Sequence, residues 1–122
     1  MPENTPIPVT INLRQKSRLL VLGYENEGEF ELSCELLRVY SPSAEVRGHG
    51  PGQEVLQTDK ENVNITAVEP VGHYAVRLVF DDGHDSGIYS WDYLYDLARN
   101  REAYWQRYLD RLAAAGIERR VN

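Results

Sequence analysis

Residues 80–94 read FDDGHDSGIYSWDYL and carry the densest set of reactive side chains in the chain. His84 is flanked by Asp81, Asp82 and Asp85. An imidazole among carboxylates has the donor types for a zinc, iron or manganese ion, or for proton transfer. The same residues also describe a turn, because Asp-Gly reverses the chain and acidic residues suit the start of a following helix. Carboxylates close to His84 would raise its pKa. His49, in the glycine-rich GHGPG stretch, is a further ligand candidate, and His73 in VGHY reads as an exposed turn residue. Cys34 is the single cysteine and has no base near it in the sequence, so it reads as a small buried residue rather than a nucleophile. No Gly-x-Ser-x-Gly elbow is present, and no Lys-Ser/Thr follows GHGPG to make a phosphate loop. A hydrolase is therefore the weakest reading.

The elements that would position these residues follow from periodicity. Val9, Ile11 and Leu13 alternate with polar residues, as in a half-buried strand, and RLLVLGY at 18–24 is a second strand. ENEGE is a turn, and Phe30 and Leu32 continue as a third strand. Ser33 caps a short helix, CELLRVY. Residues 41–53, with three glycines and two prolines, read as a loop, and Val55 and Leu56 suggest a short strand. ITAVEP and AVRLVF form a hairpin, with Ser86 to Tyr89 as a partner strand after the Asp-Gly turn. Ser90 caps one helix and Asn100 a second, with Gly116 closing it. Tyr104, Tyr108 and Leu112, beside Trp105 and Leu109, form its apolar stripe. Strands first and helices last predict an α+β fold, a two-layer sandwich of small antiparallel sheets packed against C-terminal helices. The expected division is a lead-in at 1–8, one domain at 9–116 and a polar tail at 117–122.

Bulk composition bounds the function. With 122 residues the chain suits one domain with a real core. A net charge of −6 opposes binding to a phosphate backbone, and no basic stripe offsets it, so nucleic acid is not an expected partner. No apolar run approaches a membrane span and the start lacks the pattern of a signal peptide, so a cytoplasmic protein with no membrane partner is expected. One cysteine excludes an intrachain disulfide framework. Nothing in the sequence signals an oligomeric state.

VEPVGHYAVRLVFDDGHDSGIYSWDYLYDL, together with LSCELLRVYSPSAEVRGHG, resembles the pattern of the gamma-butyrobetaine-hydroxylase-like N-terminal domains, a bacterial family formerly grouped as a domain of unknown function. The likeness runs from about Val9 to Leu97. It implies a small α+β domain that, in full-length hydroxylases, precedes a catalytic double-stranded β-helix using iron and 2-oxoglutarate. This chain ends where that domain would begin, so no hydroxylation is expected of it. In those hydroxylases the domain holds a structural zinc on three cysteines and one histidine. The cysteine positions fall near Ser41, Ser43 and Val46, and the histidine matches His84. Three of four ligands are thus replaced, which argues against tetrahedral zinc. His84 is then either a hydrogen-bonding remnant or the centre of a different site with Asp81, Asp82, Asp85 or His49. The family's fusion to P-loop ATPases similar to iron–sulfur carriers implies an accessory role in iron–sulfur protein maturation. The expectation is a non-catalytic accessory module that binds an unidentified protein. The alternative is a zinc- or iron-binding domain centred on His84. The motif residues Asp81, Gly83, Ser86, Gly87, Tyr89, Trp91 and Tyr93, with Arg38 from the earlier half, are the expected functional positions. Tyr89, Trp91, Tyr93 and Tyr95 are the expected contact surface.

Overall fold

The structure is a computed structural model, and it describes residues 5–48 and 54–120. His49, proposed above as a ligand, lies outside the described residues. Two three-stranded antiparallel sheets form the frame. The first has the order β1-β2-β3, from Thr10–Arg14, Leu19–Tyr24 and Gly28–Ser33. The second has the order β4-β5-β6, from Ile65–Val71, Ala75–Phe80 and Ile88–Ser90. Between them run α1 (Cys34–Val39) and α2 (Ala44–Arg47), and α3 (Trp91–Arg99) and α4 (Arg101–Ala114) follow. The expected α+β architecture is what is found.

Alternation decides which residues face inward. Val76, Leu78 and Phe80 of β5 are buried, while Arg77 and Val79 are partly exposed. The buried side chains of β2, β3, β4 and β5 meet Leu36 and Leu37 of α1 and Leu94, Leu97 and Ala98 of α3 in one core. Asn64 stitches the two sheets together. Its Nδ2 donates to Gln15 O at 2.9 Å, while Gln15 Nε2 donates to Ile65 O at 3.1 Å. Cys34 is fully buried, and burial pushes its thiol up to about 11, so it is packing and not a nucleophile.

Serine hydroxyls start the helices. Ser33 Oγ accepts from Leu36 N at 3.0 Å and Ser90 Oγ from Tyr93 N at 3.2 Å. Gly116 takes φ +72° and closes α4, with Ile117 N donating to Leu112 O and Gly116 N to Ala113 O. Three local expectations need correction. Asn100 does not cap α4 with its side chain, because its amide turns back to Asp96. The 41–53 stretch contains the short helix α2, started by Ser43 Oγ on Glu45 N. Val55 and Leu56 are not in a strand, since the backbone there pairs only through Val55 N to Val46 O.

Candidate functional site

The junction of α1, α2 and the β5–β6 turn gathers the motif residues. Gly83 reverses the chain at φ +90°, a conformation open to glycine and strained for residues with a Cβ. The turn folds His84 inward until it is 6% exposed. Its Nε2 lies 2.8 Å from Ser41 Oγ, and its Nδ1 lies 3.2 Å from Glu45 Oε2. A carboxylate only accepts, so Nδ1 carries the proton and Nε2 receives the Ser41 hydroxyl. Beside this pair, Ser43 Oγ and Ser86 Oγ share a hydrogen bond of 2.7 Å. Gly87 is needed for close approach, because a Cβ there would stand 2.4 Å from Ser41 Oγ.

The carboxylates next to His84 in sequence do not converge on it. Asp82 Oδ2 accepts from Arg38 Nε at 2.8 Å and Lys60 Nζ at 2.6 Å, and its Oδ1 from the His84 backbone N–H at 3.1 Å. Burial raises the Asp82 carboxyl, but those donors outweigh it and hold the group at about 2. Asp81 Oδ1 accepts from Asn64 N at 3.0 Å. Asp85 pairs with Arg77 at 3.5 Å. Arg38 is itself buried at 7% exposure, and its Nη1 also reaches Gln57 Oε1. It ties α1 to the turn and is a structural clamp.

Nearby carboxylates do act to raise the His84 pKa, but other influences outweigh them. Burial is the largest influence and lowers it, and the Arg38 guanidinium lowers it further, against weaker raising by Glu45 and Asp82. His84 is a neutral imidazole at neutral pH, with both nitrogens committed.

The donor set does not fit the zinc of the related hydroxylases. At the positions the resemblance assigns to its cysteines stand Ser41, Ser43 and the buried Val46, which supply no thiolate. The one nitrogen lone pair that could reach a metal is taken by Ser41. Among the described residues no three His, Cys, Asp or Glu side chains are grouped to hold a metal ion. The fold brings Ser41 to His84 and Ser43 to Ser86. Sequence reasoning missed Glu45 as a His84 partner and Lys60 as an Asp82 partner. Glu45 sits inside the SPSAEV stretch that held the clue.

Ser41, His84 and Glu45 stand in the order of a nucleophile, base and orienting acid. Ser41 is 1% exposed, however, and its Oγ also takes the Ser43 N–H at 3.3 Å. Gly87 packs closely against it.

The aromatic segment is mostly structural. Tyr89 is fully buried and donates to Leu37 O, so it is not a contact residue. Tyr93 lies half-buried and donates to Tyr40 O, and Tyr95 is half-buried and donates to Glu27. Trp91 is half-buried, with its indole N–H on His73 O at 2.8 Å. Tyr74, whose carbonyl accepts the Trp91 backbone N–H at 3.2 Å, is 61% exposed, and Ile88 is 46% exposed. Among the described residues no helix is long and apolar enough to cross a membrane.

Two small antiparallel sheets with C-terminal helices and a hydrogen-bonded His–Ser junction define a compact α+β domain class. The family model described as gamma-butyrobetaine hydroxylase-like, N-terminal, matches residues 11–95, and the chain belongs to that family. A protein solved by NMR is 56% identical, with TM-score 0.82, over 99% of this chain and 90% of its own. Another NMR structure is 50% identical, with TM-score 0.83, covering 98% and 94%. A crystal structure of a protein of unknown function from the DUF971 family of Acidithiobacillus ferrooxidans is 36% identical, with TM-score 0.62, covering 75% of this chain and 91% of that one. No curated protein matches the chain.

Proposed function

We propose that the chain is a non-catalytic accessory module that acts by binding another protein. The observation carrying this reading is the state of the His84 junction. Its imidazole, hydroxyls and carboxylates are hydrogen-bonded to one another, and no ligand set converges there among the described residues. The family resemblance supports the same reading, and an accessory place in iron–sulfur protein maturation rests on that resemblance alone. The contact face supported by exposure is Tyr74, Ile88 and the edge of Trp91, in place of Tyr89, Tyr93 and Tyr95.

A photo-crosslinking amino acid at position 74 or 88, in cells producing the protein, tests the binding reading. One discrete adduct, the same from both positions and absent from position 110 on α4, is expected. Identical adducts from all three positions would refute a specific face. A serine-directed fluorophosphonate tests the non-catalytic half. No labelling of Ser41 is expected, and stoichiometric labelling lost in Ser41→Ala would make the protein a hydrolase.

A further inference from the structure

A second polar site lies on the other side of Tyr93. A hollow of about 160 Å³ opens between the α1–α2 connection, α3 and α4, and Arg47, Arg107 and Arg111 line it. Its walls are the rings of Tyr40, Tyr93 and Tyr104. The tyrosine hydroxyls are already used. Tyr40 donates to Tyr104 O at 2.8 Å, Tyr93 to Tyr40 O, and Tyr104 to Asp96. The polar groups left to face the hollow are therefore chiefly guanidiniums, with one carboxylate, Glu54, on the lining.

These arginines differ from most others in the chain. Arg14, Arg38, Arg77, Arg99 and Arg119 each sit in an ion pair. None of Arg47, Arg107 and Arg111 does so among the described residues. Arg107 and Arg111 are one helical turn apart on α4, where like charges repel. Arg47 is held over the Tyr93 ring, with its guanidinium carbon 5.0 Å from the centroid, which fixes its position without neutralising it. Asp96 borders a neighbouring hollow with Arg107 but is occupied by the Tyr104 hydroxyl and the Asn100 amide. In a chain of net charge −6, three arginines outside any ion pair among the described residues, gathered around one hollow, concentrate positive potential there.

We propose that this hollow binds the phosphate group of a monoester. The lining carries three guanidiniums against one carboxylate, and even with the charge of Asp96 beyond Tyr104 the balance stays positive, which suits a phosphate anion. Each guanidinium offers a planar fork for two oxygens. A lone carboxylate, with two oxygens, satisfies one fork, whereas a phosphate offers three oxygens to three arginines. A hollow of about 160 Å³ admits the phosphate and its first attached atoms but not a whole nucleotide, so the rest of the ligand lies outside. The phosphate could be carried by a small metabolite or by a phosphorylated side chain, which share this chemistry.

The test is an NMR titration of the full chain with inorganic phosphate, glycerol 2-phosphate, a neutral phosphoserine hexapeptide and succinate. Each is compared with sodium chloride at equal ionic strength. Saturable shifts confined to Tyr40, Tyr93, Tyr104 and the three arginines are expected with the phosphates. Arg107→Gln and Arg111→Gln should each weaken them about tenfold. Arg14→Gln, on the opposite sheet, should leave them unchanged. Tighter binding of the peptide would assign the site to a phosphorylated protein, and tighter binding of glycerol 2-phosphate to a small molecule. Shifts no larger than those with chloride, equal binding of succinate, or insensitivity to all the arginine changes would each overturn the proposal.

Discussion

His84 shows how a side chain with catalytic credentials becomes structural. Its surroundings remove water and place Arg38 near it, and both effects favour the neutral ring. The sign for stability follows. The pKa is lowered on folding, so above the ordinary value of 6.5 neither state holds the proton and the group contributes nothing pH-dependent. Below 6.5 the unfolded chain takes a proton that the folded chain refuses, and stability falls until the folded pKa is passed. Urea midpoints at pH 7.5 and 5.5 should therefore drop further in the wild type than in His84→Gln. Equal drops would mean that His84 is solvated in the folded state. Tyr24 makes a second case. Its hydroxyl is buried with no hydrogen-bond partner, and burial moves its pKa up to about 12. Tyr24→Phe removes an unsatisfied group while keeping the ring contacts to Phe30 and Tyr95. It should raise the unfolding free energy by about 1 kcal/mol, and a lower urea midpoint would show that the hydroxyl has an unseen partner.

At the scale of elements, α2 and the β5–β6 turn are held together by hydrogen bonds among Ser41, Ser43, Glu45, His84 and Ser86. The resemblance implies that Ser41, Ser43 and Val46 stand where the related hydroxylases carry cysteines, and His84 faces Ser41. Changing all three to cysteine should restore stoichiometric zinc binding under reducing conditions, dependent on His84, because three thiolates and one imidazole complete a tetrahedron. Elemental analysis of the triple variant beside the wild type decides it. A triple variant that folds but binds no zinc would show that α2 is misplaced for coordination. Gly87 belongs to the same junction. Gly87→Ala should displace Ser41 and cost about 1–3 kcal/mol by breaking its bond to His84, and adding Ser41→Ala should recover part of that loss.

The strands were legible from the sequence because each keeps a period of two or a continuous apolar run. Ser33 and Ser90 were legible because a cap is local. The His84 network was not, since Ser41 lies 43 positions away and no spacing rule links them. Asn100 misled because its amide found Asp96, one turn back, before the helix it precedes. The flanking aspartates misled because sequence neighbours alternate in direction along an extended turn.

Across the whole molecule, the C-terminal segment belongs to the fold rather than trailing from it. Ile117 packs on the small cluster of Val39, Tyr108 and Leu112. Arg119 reaches back across the domain to grip both oxygens of Glu35, and its guanidinium carbon lies 4.8 Å from the Trp105 centroid. Glu35 is 6% exposed, so its carboxylate depends on that partner. Arg119→Ala leaves a nearly buried charge unpaired and uncovers Trp105. Because Arg119 itself is partly exposed, water can reach the gap, and the expected cost is about 2 kcal/mol, below that of a fully buried pair. Glu35→Gln removes the charge that needs a partner, so the double variant Glu35→Gln/Arg119→Ala should be more stable than Arg119→Ala alone. Urea unfolding of the four proteins gives the coupling directly. A coupling near zero would mean that Arg119 only covers Trp105. If the ion pair is what holds the segment after α4 to α1, the coupling exceeds about 1 kcal/mol.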